Sequence, residues 1–217
     1  SYIASHDLQE PLRTVANYMR VFEVDYKERL DENAWKYIDS INNAIKRMST
    51  LIKSLLDFSR LGHNTKLTLV DCKSLIDVVM LDLGTMIKNS NTEIEVSEMP
   101  TLNIYEVEIR QVFQNLITNA VKFQKEGTRP KIKIHSKKIN DIWQFCVNDN
   151  VIGINPLYFE LIFDIFQRLH TNDKYEGNGI GLSNCKKIIE SHHGKIWVES
   201  TPEQGTSFYF TIPNLTL

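Results

Sequence analysis

His6 stands directly before Asp7 in the stretch Ser5-His6-Asp7-Leu8-Gln9-Glu10-Pro11-Leu12. An imidazole becomes a nucleophile when a neighbouring carboxylate accepts the proton of one ring nitrogen and leaves the lone pair of the other free. Far downstream, Asn115, Asn119 and Lys122 recur at i, i+4 and i+7, which places them on one helix face. Amide oxygens suit a hard cation such as Mg²⁺, and an ammonium beside them suits phosphates, although a buried Asn pair also serves as a cap or a network member. Gly177-Asn178-Gly179-Ile180-Gly181-Leu182 then opens a helical run containing Ile188 and Ile189. Glycines at a helix N-terminus bring backbone amides close to phosphate, and the helix dipole favours its charge. Alone, Gly-x-Gly-x-Gly is common in loops. Together the three groups would suit a phosphoryl donor held as a metal complex and a histidine nucleophile that receives the group.

The histidine is carried by a helix. Ala4, Leu8, Leu12, Val15, Met19, Phe22 and Tyr26 fall in alternating fours and threes, a seven-residue repeat that defines a bundle seam. His6 lies about 200° from both Ala4 and Leu8 around a 3.6-residue helix and therefore points away from the seam. Asp31 is a suitable N-cap for a second helix, in which Ile38, Ile41, Ile45, Met48, Ile52 and Leu55 continue the alternation up to Leu61-Gly62. Leu51, Leu56 and Phe58 widen that stripe beyond a two-stranded seam. A hairpin of two such helices cannot cover both stripes, so a second copy is expected to complete a four-helix bundle.

Residues 63–66 are polar and read as a linker, and the remainder of the chain is α+β in pattern. A strand is predicted over Leu67–Val70, a helix with Leu75, Ile76, Val79, Leu83 and Ile87 on one face, and a strand over Thr92–Val96. A helix from about Tyr105 to Gln124 buries Ile109, Val112, Phe113, Leu116, Ile117 and Ala120 and presents the Asn/Lys stripe separately. Lys131–Ser136 and Trp143–Asn148 form a hairpin around Asn140-Asp141, residues that tolerate the left-handed backbone of a tight turn. Pro156 starts a short helix whose Phe159, Ile162, Phe163 and Phe166 are expected in the core. Residues 170–178 are polar and read as a lid loop. Lys195–Ser200 and Thr206–Ile212 are the last strands.

With these boxes in order, nearly the whole chain, about residues 2–213, resembles the catalytic core of sensor histidine kinases of the phytochrome-like, PAS-linked kind. Ser5-His6-Asp7-Leu8-Gln9-Glu10-Pro11-Leu12-Arg13 is similar to the H-box, which implies His6 as phosphoacceptor and Asp7 as its acidic partner. Glu10 stands where that family often has the Thr or Asn that positions water for dephosphorylating a regulator, so the resemblance does not extend to phosphatase activity. Gln111 to Phe123 is similar to the N-box, which implies Asn119 as metal ligand, Asn115 behind it or on a phosphate, Lys122 on a phosphate and Phe123 as a wall. Asp149-Asn150-Val151-Ile152-Gly153 is similar to the first glycine box. Asp149 would accept from the exocyclic amine of adenine, and Gly153 matches. Val151 replaces the first glycine; it costs roughly 1–3 kcal/mol if that position needs φ > 0, or it crowds the nucleotide if close approach is what matters. Either effect is expected to weaken or alter ATP binding. Phe163–Leu169 resembles the F-box, with Arg168 reaching a γ-phosphate. Gly177, Gly179, Gly181 and Leu182 match the second glycine box, and Gly205-Thr206 the last, near the phosphates or in a plain hairpin turn.

The resemblance thus implies two parts: residues 1–62, an all-α dimerisation and phosphotransfer hairpin (a four-helix bundle as a dimer), then the linker 63–66. Residues 67–217 would be an α/β sandwich that binds ATP, of the gyrase, heat-shock chaperone and histidine-kinase type. ATP and Mg²⁺ would be the cofactors, and a second copy and a response-regulator receiver domain the partners. A nucleotide-site-degenerate scaffold, motivated by Val151, is the rival. Free ATP hydrolysis has no use for His6-Asp7, and neither a P-loop ending nor a dinucleotide fingerprint is present.

Bulk composition sets the remaining bounds. The 217 residues are 42% hydrophobic and 24% charged, and 25 basic against 27 acidic residues are mixed along the chain, so no footprint for nucleic acid or an anionic membrane stands out. Cys72, Cys146 and Cys185 are widely spaced without metal-ligand pattern, which fits a reducing cytoplasmic location. No apolar run approaches a bilayer span, and direct membrane contact is not expected. Residue 1 already lies within a helical pattern, so a fragment is expected, with an upstream sensor domain outside this stretch.

Overall fold

The computed structural model describes residues 2–61, 66–125, 127–167, 169 and 178–213, with the side chains of 2–8 and 60 excluded. The chain divides into two compact units, Ser1–Arg60 and Leu61–Leu217. The expected linker, 63–66, lies outside the described residues except for Lys66.

The first unit is a helical hairpin of α1 (Tyr2–Tyr26) and α2 (Glu32–Arg60). Asp31 caps α2, its Oδ1 accepting from the Ala34 N–H at 2.7 Å, as its residue type and place predict. Ile38 and Ile45 are buried between the helices, and Asn42 Nδ2 donates to Glu23 Oε1 across them. Much of the predicted seam is not covered within one chain: Val15, Phe22, Tyr26, Ile41, Met48 and Leu55 are exposed, and Leu12, Met19 and Ile52 are half-buried.

The second unit is a five-stranded sheet with helices on one face. Its strands are β1 (Thr68–Asp71), β2 (Glu93–Val96), β3 (Thr101–Ile104), β4 (Lys131–Ile139), β5 (Ile142–Asp149), β6 (Ile196–Thr201) and β7 (Gly205–Pro213). Its helices are α3 (Cys72–Asp82), α4 (Gly84–Asn89), α5 (Glu106–Lys122) and α6 (Gly181–Ser191). The main sheet runs β2-β4-β5-β7-β6, with β2 parallel to β4 and the rest antiparallel, while β1 and β3 pair separately. Strand alternation sends Phe145 and Val147 of β5 and Phe208, Phe210 and Ile212 of β7 under the helices. Phe145 stacks on Phe210 at 4.9 Å between centroids, and Phe113 of α5 meets both rings edge-on. This cluster anchors α5 to the two central strands.

Two expectations change and one strand is new. The helix predicted through Ile87 divides at Leu83, whose N–H bonds back to Val79 O, before Gly84 restarts it. The strand β3 has no expectation behind it, because its four residues are too short for a strong alternation and only pairing with β1 defines them. Phe166 is not core: it is 48% exposed with φ 68°, while Ile162 and Phe163 are buried in a 3₁₀ turn as expected. Among the described residues no helix is long and apolar enough to cross a membrane.

Phe113 is fully buried at the meeting point of α5, β5 and β7. Phe113→Ala is expected to destabilise the second unit by about 3–5 kcal/mol, measured by urea denaturation; a loss below about 1 kcal/mol would show that α5 is held elsewhere.

Candidate functional site

The last turns of α5 and the first turn of α6 face the open end of the β5–β7 pair. Asn119, Lys122, Phe123, Asp149, Gly153, Gly179, Gly181, Leu182 and Thr206, named from sequence, all line one cavity of ≈ 280 Å³. Thr118, Gln167 and Asn178 line it too, inside the quoted boxes but not singled out from them, as do Ile154 and Phe208; Phe208 is legible only as the next inward residue after Thr206 on β7. Asn115 is not among the lining residues. Its Nδ2 donates to Gly181 O at 3.1 Å, so it braces the start of α6 from behind. Arg168, Gly177 and the predicted lid loop up to Gly177 lie outside the described residues. So do the side chains of His6 and Asp7, whose backbone is helical within α1.

One end of the cavity is built on Asp149. The side chain is 5% exposed, and its Oδ1 accepts from Val151 N–H at 3.2 Å and Thr206 N–H at 2.9 Å. Burial raises its pKa to about 7 against the pull of those two donors. Thr206, expected near the phosphates, is instead the strand partner of Asp149, because the β5–β7 register sets the two opposite each other. Gly205 permits that approach: at φ 109°, a Cβ there would sit 2.1 Å from Asp149 O.

The loop after Asp149 is held on both sides. Ile152 N–H donates to Phe123 O at 3.4 Å, Ile152 O accepts from Glu203 N–H at 2.8 Å, and Lys125 pairs with Glu203 at 2.6 Å. Gly153 has φ 74°, and a Cβ on it would lie 2.2 Å from Thr201 O. Asn150 Oδ1 accepts from Lys131 N–H and its Nδ2 donates to Arg129 O, joining the loop to the start of β4. Val151 is 6% exposed and is not in the left-handed region, so the expected backbone strain at that position is not present.

On the cavity wall supplied by α5, Lys122 Nζ lies 4.6 Å from the Phe123 ring centroid. Phe166 N–H donates to Gly179 O at 2.9 Å, which joins the segments on either side of the predicted lid. Gly179 has φ 68°, and a Cβ there would meet Gln167 O at 2.7 Å. Gly181 and Leu182 open α6, whose N-terminal amides and dipole are suited to anions. A buried acceptor, a cation, a helix N-terminus and apolar walls around one cavity are chemically suited to a base with a phosphate tail.

Such a cavity, at the helix-covered end of an α/β sandwich and preceded by a helical hairpin, defines a class of nucleotide-binding signalling core. Residues 104–216 match the histidine kinase-, DNA gyrase B- and HSP90-like ATPase family, and residues 2–64 match the His Kinase A (phospho-acceptor) domain. The chain belongs to the histidine kinases. It is 48% identical over 214 residues to the phytochrome-like protein Cph1 of Synechocystis sp. and 43% identical to cyanobacterial phytochrome A of Nostoc sp.. Each alignment covers 98% of this chain and 28% of the relative, so the chain spans under a third of their length. Among solved structures, full-length ShkA in complex with AMPPNP superimposes with a TM-score of 0.73 at 25% identity, over 100% of this chain and 46% of that one. Histidine kinase ThkA, in complex with response regulator protein TrrA, gives 0.67 at 28% identity, over 98% of this chain and 61% of that one.

Two consequences can be measured. Gly153→Ala combines a left-handed backbone with a clash against Thr201 O and is expected to cost at least about 1–3 kcal/mol in thermal unfolding; an equally stable variant would show that the loop is not clamped. Asp149→Asn keeps the Oδ1 acceptor and removes the ionisation. Because the folded pKa is raised above the unfolded value near 3.9, the contribution of Asp149 to stability is whole below that pH and falls as pH rises through about 7. The stability gained by Asp149→Asn in the ligand-free chain is therefore expected to grow from pH 4 to a plateau above about pH 7, measured by urea denaturation at intervals of pH. A gain independent of pH would exclude burial of the charge as its cause.

Proposed function

We propose that the chain is the core of a two-component sensor kinase that transfers the γ-phosphoryl group of Mg-ATP to a ring nitrogen of His6 and then to an aspartate of a response-regulator receiver domain. The observation that carries this is the convergence of Asn119, Lys122 and Asp149 on one cavity, in a chain whose first 64 residues match a phospho-acceptor domain. In this assignment residues 1–62 dimerise and carry the phosphate, 63–66 link, and 67–217 bind ATP. Asp149 accepts from the exocyclic amine of adenine through Oδ2, the oxygen opposite the two backbone bonds. Phe123, Gly153, Leu182 and Thr206 wall the base. Lys122, the amides at Gly177, Gly179 and Gly181, and Arg168 neutralise phosphates. Asn115 positions Gly181.

Mg²⁺ fits the donor set. Among the described residues no group of three or more His, Cys, Asp or Glu side chains gathers for a metal. Mg²⁺ retains several waters and is held by one or two protein oxygens plus substrate phosphates, a role the Asn119 amide oxygen suits. When bound it supplies charge neutralisation; the chain itself orients donor and acceptor, and Asp7 takes the imidazole proton as the ring attacks. Positioning and electrostatics supply most of the rate in such transfers. The uncovered apolar stripe of the hairpin supports a homodimer, and the ThkA–TrrA complex supports a receiver-domain partner. The greater length of the relatives supports a sensor domain upstream, and three buried free thiols fit a cytoplasmic setting. Val151 favours the second possibility, a dimeric scaffold with a degenerate site.

Incubation with γ-labelled ATP and Mg²⁺ separates the two. Acid-labile, base-stable label is expected on this chain and not on His6→Gln. ATP bound by neither protein, with no label, would leave the scaffold.

A further inference from the structure

We propose that Val151 sets the purine selectivity of the cavity: it fills the space beside Asp149 that a glycine leaves open, so the site rejects adenine nucleotides substituted on the exocyclic nitrogen. Adenine binding with its amine at Asp149, as proposed above, is the premise.

Val151 is two residues beyond Asp149, lines the same cavity and is 6% exposed. Its backbone is unstrained, so nothing in the chain conformation demands glycine there. Nor can it retreat. Its own N–H is bound to Asp149 Oδ1, and Asp149 is fixed opposite Thr206 by the strand register. Ile152 is held through both its N–H and its carbonyl, by Phe123 and Glu203. Gly153 is pressed against Thr201, where even a Cβ has no room. With residues on both sides pinned, the three side-chain carbons of Val151 come out of the cavity rather than displacing the loop. That cavity is ≈ 280 Å³, below the roughly 300–1,000 Å³ of typical ligand sites. Ile152, Ile154, Ile162 and Phe208 also line the cavity, already apolar and partly or fully buried. A substituent on the amine would have to occupy the place of the Val151 methyls.

Apolar contacts of one or two carbons discriminate about 10- to 200-fold, which sets the expected scale. The test is equilibrium binding of ATP and N6-benzyl-ATP, each with Mg²⁺, to the whole chain and to its Val151→Gly and Val151→Ala variants. The native chain is expected to bind the benzyl analogue at least about tenfold more weakly than ATP, and Val151→Gly to reduce that ratio by at least about tenfold, with Val151→Ala between. ATP itself is expected to bind more tightly to Val151→Gly. Should the glycine variant fail to fold, the alanine variant carries the same ratio test. Analogue and ATP discriminated equally by all three proteins would overturn the assignment of Val151 while leaving nucleotide binding intact. ATP bound by none of them would overturn the nucleotide site itself and, with it, this role.

Discussion

A carboxyl group buried at the end of a central strand is costly, and the second unit is arranged around making Asp149 tolerable there. Two backbone N–H groups meet one of its oxygens, one from the turn beyond it and one from the strand opposite. That second donor exists only because β7 lies against β5 in a single register, and β7 reaches that place only because Gly205 has no side chain to strike the Asp149 carbonyl. Burial still dominates, holding the pKa near 7. A ligand that donates to the remaining oxygen lowers the cost of the charge. The fold thus bears the energetic cost of burying this acceptor before any ligand arrives.

The two helices that line the cavity, α5 and α6, are tied together away from it. His192, fully buried at the end of α6, accepts the Tyr105 N–H through Nε2 at 3.1 Å, and its Nδ1 lies 2.8 Å from Ile188 O. Nε2 as acceptor leaves the proton on Nδ1, a neutral tautomer favoured by burial, which lowers the pKa. The bond ties the C-terminus of α6 to the N-terminus of α5. At the other end of the same pair Asn115 reaches Gly181 O. Between these ties the helices cannot slide, and Asn119 and Lys122 on α5 keep a defined position relative to the first turn of α6.

The hairpin is built the other way round, with little of its apolar surface satisfied inside the chain. Ile38 and Ile45 are buried within one chain, but the stripe through Val15, Phe22, Ile41 and Met48 faces solvent. A contiguous apolar band on a long helix pair marks an association surface. The half-buried Glu23–Asn42 contact sets how α1 lies along α2, since a polar pair between helices is satisfied in one register only.

Local chemistry made much of this legible. The two helices of the hairpin, the Asp31 cap, the Asn140 turn and the inward alternation of β5 and β7 are properties of neighbouring residues, and each survives in the folded chain. Residue types likewise marked Asn119, Lys122, Asp149 and the glycines, because few other patterns combine a stripe of amides, a cation on the same helix face, a strand-end carboxylate and helix-opening glycines. Pairing was not legible. The short strand β3 exists through β1, Thr206 belongs with Asp149 because two distant strands align, and Phe166 is exposed at a left-handed position whose N–H bonds to Gly179 O. Val151 shows the division within one residue. Its departure from glycine is visible in the sequence, but only its packed neighbours determine that the consequence is lost cavity volume and not backbone strain.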